Sequence, residues 1–130
     1  MSVFWREDRG TAIVEMALVL PILLALILGI VEFGRIVNAY VTVEHAAREG
    51  ARLGITGASD DDIRRRVEET SFPLDPAGLS VSIDPAPSER TRGVPITVSV
   101  TYSYNVITPV MSSLFGAVLQ VSSSLSMRME

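Results

Sequence analysis

The sequence contains no cysteine and no lysine, and its one histidine is His45. Without cysteine there is no disulfide framework, no thiol nucleophile and no thiolate metal site. A single histidine excludes a multi-histidine metal centre and most Ser-His chemistry. Positive charge is scarce as well: eleven arginines face fifteen acidic residues, for a net charge of -4 and a pI near 5.0. A surface that neutralises many phosphates is not expected on such a chain, nor is a nucleic-acid partner. A phosphate-binding glycine loop, a nucleophile–base pair and a metal-ligand spacing are all missing. The expectation is a protein that is not an enzyme, with no cofactor, no metal and no small-molecule substrate.

What the chain does have is apolar sequence concentrated in one place. Mean hydropathy is +0.36, high for 130 residues of which 48% are hydrophobic. Met16 to Val31 is free of charge, and extending the run back to Ala12 admits only Glu15. Twenty helical residues at about 1.5 Å each span the roughly 30 Å hydrocarbon core of a bilayer. The run is rich in Leu, Ile, Val and Ala and has no polar face, unlike an amphipathic surface helix. The remaining hundred or so residues are too few to wrap it as a core helix. Residues 12–31 are therefore expected to cross a membrane. A cleaved secretory signal would have a shorter apolar region and a small-x-small site; this run instead continues into Glu32-Phe33-Gly34-Arg35. Pro21 removes a helical hydrogen bond and favours a kink, which membrane helices tolerate.

The upstream end of this anchor is unusual. Arg9-Gly10-Thr11-Ala12-Ile13-Val14-Glu15 leads into the apolar run, and Glu15 is the fifth residue after Gly10. A carboxylate at the bilayer centre costs about 2.5–3.5 kcal/mol and less toward the interface, where it also suits the positive end of the helix dipole. The glycine-then-glutamate spacing followed by a membrane-length helix resembles the processing site of type IV prepilins and pseudopilins. The stretch from Arg9 to Gly54 resembles, more specifically, the N-terminal signature of the TadE-like family, minor pilin-like proteins of the tight-adherence (Flp) pilus system. Its carriers are Gly10 to Glu15, Ala17-Leu18-Val19-Leu20-Pro21, Gly29-Ile30-Val31-Glu32-Phe33-Gly34-Arg35 and Ala46-Ala47-Arg48-Glu49-Gly50-Ala51-Arg52. Met16 departs from the aromatic residue usual after the glutamate. Glu7 and Asp8 offset Arg6 and Arg9, which weakens the charge argument for orientation.

The resemblance implies a pilin-like assembly subunit. Residues 1–10 would be a leader removed between Gly10 and Thr11 by a prepilin peptidase. The mature chain would sit in the bacterial cytoplasmic (inner) membrane as a single-pass protein, N-terminus cytoplasmic and head outside, in a membrane-stored or pilus-associated form. Its partners would be the membrane, the peptidase, other pilin-like subunits and the pilus assembly platform. The competing reading is a membrane-anchored extracytoplasmic binding or accessory domain that never enters a filament. A mature chain beginning at Thr11 separates the two.

Beyond the anchor the helical pattern continues, so that residues 11–54 read as one long helix. Phe33, Ile36, Tyr40, Val43, Ala47, Gly50, Ala51 and Gly54 recur at three- and four-residue spacings. Arg35, Asn38, His45, Arg48, Glu49 and Arg52 fall opposite, with His45 in solvent. Ala47, Gly50, Ala51 and Gly54 invite close packing, either on this chain's own sheet or on a neighbouring subunit. With Glu15 and Pro21 they form the candidate set for subunit packing. Residues 55–130 read as a small head. Ser59 with Asp62 resembles a capping box, and Asp60, Asp61 and Asp62 suit a first helical turn without calcium-loop spacing. Arg64, Arg65 and Arg66 read as a solvated face. Alternation then marks three strands: one through Leu79, Val81 and Ile83, one from Ile96 to Val106, and one from Leu119 to Met127. A helical turn is expected at Val110–Phe115. The fold class is α+β and pilin-like: a long N-terminal transmembrane helix, a short helix and an antiparallel sheet of about three strands whose apolar face needs the long helix as cover.

Overall fold

The computed structural model describes residues 4–130, with side chains from Arg9 onward; the first three residues of the expected 1–10 leader lie outside the described residues. A single helix, α1, runs from Phe4 to Gly54 and remains helical through Pro21. Its 51 residues correspond to roughly 75 Å at the usual helical rise. Residues 4–10 are continuous with it rather than a separate element. Gly57, at a φ of +84°, supplies the left-handed turn that ends this helical stretch, its N–H donating to Gly54 O at 3.1 Å.

The second helix, α2, spans Asp60–Thr70. The Ser59 hydroxyl accepts from Asp62 N–H at 3.2 Å and donates to Asp62 Oδ2 at 2.8 Å, and three acids occupy the first turn. Ile63 and Val67, one turn apart, are fully buried. Three strands follow: β1 (Leu79–Asp84), β2 (Pro95–Asn105) and β3 (Val118–Arg128), with a third short helix, α3 (Pro109–Phe115), between the last two. They form an antiparallel meander in the order β1-β2-β3, with Val81 opposite Val100, Val98 opposite Leu125 and Tyr104 opposite Leu119. Because side chains alternate across a strand, this register collects the apolar residues on one face. Serines and threonines collect on the other, where the Ser99 and Ser124 hydroxyls meet at 2.9 Å.

The core joins Ala39, Val43, Ala46, Ala47 and Ala51 of α1 to Ile63, Val67, Ile96, Val98, Val100, Tyr104 and Val121. Each fully buried Val or Ile stabilises the head by about 1.5–3 kcal/mol. The protein is thus α+β, a long N-terminal apolar helix whose distal part is the spine of a small head.

Two expectations are corrected. Phe33 and Tyr40 are exposed, not part of the buried stripe; the stripe runs through Glu32, Ala39 and Val43 instead. At about 100° per residue, Phe33 and Tyr40 stand a quarter-turn or so from that line. Only higher up does α2 widen the covered sector enough to enclose both Gly50 and Ala51. The arginines of α2 are likewise more than a solvated face. Arg64 Nη1 donates to Val81 O at 2.7 Å, tying α2 to β1, and Arg66 Nη2 donates to Glu49 Oε2 at 2.9 Å, tying α2 to α1. Arg65 pairs with Asp62 at 2.6 Å.

Candidate functional site

The proximal part of α1 touches nothing in its own head. From residue 9 to 24 every side chain is exposed, including Ile13, Leu18, Leu20, Ile22 and Leu23. Among the described residues this is the one helix long and apolar enough to cross a membrane. Gly10, Thr11, Glu15 and Pro21 all lie on it and are all exposed. A Cβ placed on Gly10 would meet no atom within 4 Å. Nothing in the fold therefore asks for glycine there, although glycine costs a helix about 1 kcal/mol relative to alanine.

The other small residues of the candidate set have intramolecular work. Ala47 and Ala51 are fully buried. A Cβ on Gly50 would fall 2.8 Å from Val67 Cγ2 and 3.2 Å from Val98 Cγ1, and one on Gly54 would fall 2.8 Å from Ile96 Cδ1. All four face this chain's own α2 and sheet, which leaves them no surface for a neighbouring subunit. Glu15 and Pro21 stand apart from them, far down the exposed segment.

The most organised polar site is one that sequence reasoning did not single out. Glu32 ends the charge-free run, yet its carboxylate is buried, 3% exposed. Tyr104 Oη donates to Oε1 at 3.1 Å, Ile107 N–H donates to the same oxygen at 3.1 Å, and the Thr108 hydroxyl donates to Oε2 at 3.1 Å. Arg35 lies one turn on, 3.9 Å from Oε2, with its guanidinium 5.5 Å from the centroid of the Tyr104 ring. The site thus fastens the end of β2 and the start of α3 to the point where α1 enters the head. Its signal in the sequence is faint: an acid between an apolar run and an arginine, with partners more than seventy residues away. Beside it, α1, α3, Val106 and Leu119 line an open apolar groove of about 400 Å³ that also includes Gly29, Phe33, Met111 and Phe115.

A second polar cluster holds the far end. Glu49 receives Arg66 at 2.9 Å and Arg52 at 3.2 Å. The hydrogen bond from Arg66 is the main cause that holds its carboxyl below the usual 4.5. Arg90, its side chain 7% exposed, pairs with Asp60 at 2.5 Å and donates through Nε to Pro85 O at 2.9 Å. Asp60 and Asp62 are thus engaged by arginines, and no group of three His, Cys, Asp or Glu side chains suited to a metal occurs among the described residues. His45 is exposed.

A membrane-length apolar helix carries a small α+β head, and that arrangement suggests single-pass membrane anchoring. Residues 10–52 match the family model described as TadE-like protein, the family that the sequence signature resembles. That family is a pilus-associated structural family of the Tad system. No curated protein and no solved structure matches the chain.

Proposed function

We propose that this protein is a pilin-like assembly subunit of a tight-adherence pilus. In this reading a prepilin peptidase cleaves it between Gly10 and Thr11, residues 12–31 anchor it in the bacterial inner membrane, and its head lies outside the cytoplasm. The observation that carries the reading is Gly10. The family match begins at that residue, and the fold has no use of its own for a glycine there. A requirement from outside the chain, a peptidase cleft with no room for a side chain, accounts for it. The alternative of an anchored accessory domain that stays out of the filament shares the anchor and the head, but it leaves Gly10 without a reason.

Glu15 has a role in this reading. Cleavage would give Thr11 a new amino group four residues away, about 6 Å in axial rise. Opposite charges attract strongly where the dielectric is low, but isolated charges pay heavily for leaving water. Pairing the carboxylate with an N-terminal amine, its own or a neighbour's, reconciles the two and supplies register as the helix leaves lipid for a bundle of pilin helices. Glu15→Gln is therefore expected to insert and to be cleaved normally, while losing co-purification with other pilin-like subunits and failing to form pili. Normal pili and normal subunit association in the Glu15→Gln strain would remove this role.

A further inference from the structure

The head does not stop where the membrane-length segment ends. Met111 of α3 fills the notch at Gly29: its Cε lies 2.9 Å from where a Cβ on Gly29 would be. It also lines a cleft with Ala25 and Leu26. Ala25 lies six residues below Val31, roughly 9 Å along the axis. So α3 hangs beside the last turns of the apolar helix. Its exposed side chains are apolar: Leu114 is 68% exposed with Ile107 and Val110 beside it, and Phe115, on the groove side with Met111, is still 66% exposed. Residues 106–119 contain no charged side chain. The two serines of α3 have their donors satisfied within the helix, since the Ser112 and Ser113 hydroxyls both donate to Pro109 O, at 2.8 and 2.9 Å. The nearby carboxylate of Glu32 is satisfied by its three donors, and Arg35, half exposed just above, stands at the level expected of a headgroup contact.

We propose that α3 is a lipid-seated foot: Ile107, Val110, Leu114 and Phe115 enter the headgroup–acyl boundary beside α1 and hold the head against the membrane surface. The occupant is lipid because the apolar surface of the foot is continuous with that of the anchor and lies at the same axial level. Apolar residues at that depth, backed by internally satisfied polar groups, are what a membrane interface takes up. The Glu32 site then sets the pose of the foot, since it fixes the β2–α3 junction to α1. This inference rests on the anchored reading above.

The absence of cysteine makes the test clean. Leu114→Cys, Leu18→Cys and Ser88→Cys are made singly in the full chain, coupled to a thiol-reactive fluorophore and reconstituted into phosphatidylcholine–phosphatidylglycerol vesicles carrying nitroxide-labelled lipid. With the nitroxide near the headgroup, quenching at position 114 is expected to exceed that at position 88 by about two-fold or more. Quenching no greater at 114 than at 88, while the label at 18 is quenched by a deep nitroxide, overturns the foot and leaves the anchor standing. An unquenched label at 18 overturns the anchor and the foot together. Quenching at 114 that disappears as the chain is crowded in the bilayer assigns the surface to a second copy and overturns the lipid assignment.

Discussion

Glu32 concentrates more interactions than any other polar residue near the root of the head. Its carboxylate accepts one hydrogen bond from a phenol, one from a backbone N–H and one from a threonine hydroxyl, all inside the fold. Hydrogen bonds to a charged acceptor contribute about 1.5–3 kcal/mol each, and a buried donor left without a partner costs about 1–3. Glu32→Ala is expected to destabilise the head by about 3–5 kcal/mol because three donors lose their acceptor together. Glu32→Gln should cost about 1–3, since one amide oxygen survives while the new NH2 faces donors. Urea unfolding in detergent micelles, followed by circular dichroism, measures both; an alanine variant within about 0.5 kcal/mol of the parent would contradict the role. This residue also shows where sequence reading stopped. Composition and periodicity report neighbours along the chain, and Tyr104, Ile107 and Thr108 become neighbours of Glu32 only when β2 folds back along α1. Gly10 is the reverse case: spacing alone singles it out as a candidate, and the fold adds only that a Cβ there would meet nothing within 4 Å.

At the level of elements, local pattern carried most of the information. The three strands lie where the two-residue alternation puts them, and the Ser59 cap opens α2 as its acid-rich first turn implies. The apolar stripe of α1 was less legible, because three- and four-residue spacings admit Phe33 and Tyr40 as readily as Glu32 and Ala39. Which residues are covered depends on how far α2 and the sheet reach around the helix, and no local pattern contains that. Where cover is complete, packing is tight. In Gly50→Ala the new Cβ would meet the stiff, branched Val67 at 2.8 Å, an overpacking that costs about 1–3 kcal/mol against a helix-propensity gain of about 1. A net loss of stability is expected, with recovery in the Gly50→Ala/Val67→Ala pair relative to Val67→Ala alone; thermal unfolding of the four chains tests this. The clamp between α1 and α2 makes a pH prediction. The Glu49 carboxyl is held below 4.5, so its pairing with Arg66 contributes fully above that value and is lost as pH falls below it. Amide exchange in α2 should therefore accelerate on acidification below the ordinary carboxylate range, and Arg66→Gln should flatten that dependence. A profile unchanged by the substitution would deny the clamp.

For the molecule as a whole, the division of labour is between an exposed apolar half of α1 and a buried half that serves as the spine of the head. The small residues that look suited to subunit packing are enclosed within the head. Of the candidate set, Gly10, Thr11, Glu15 and Pro21 on the anchor remain exposed, and in the proposed reading these are the ones open to other subunits. In the proposed function, assembly depends on maturation at Gly10. It is tested most directly by the intact mass of the chain recovered from membranes and from sheared pili, with and without Gly10→Val. The account predicts a chain beginning at Thr11 in the parent strain and retention of residues 1–10 in the variant. A parent chain that keeps residues 1–10 in both fractions, or a Gly10→Val chain that begins at Thr11, would contradict it.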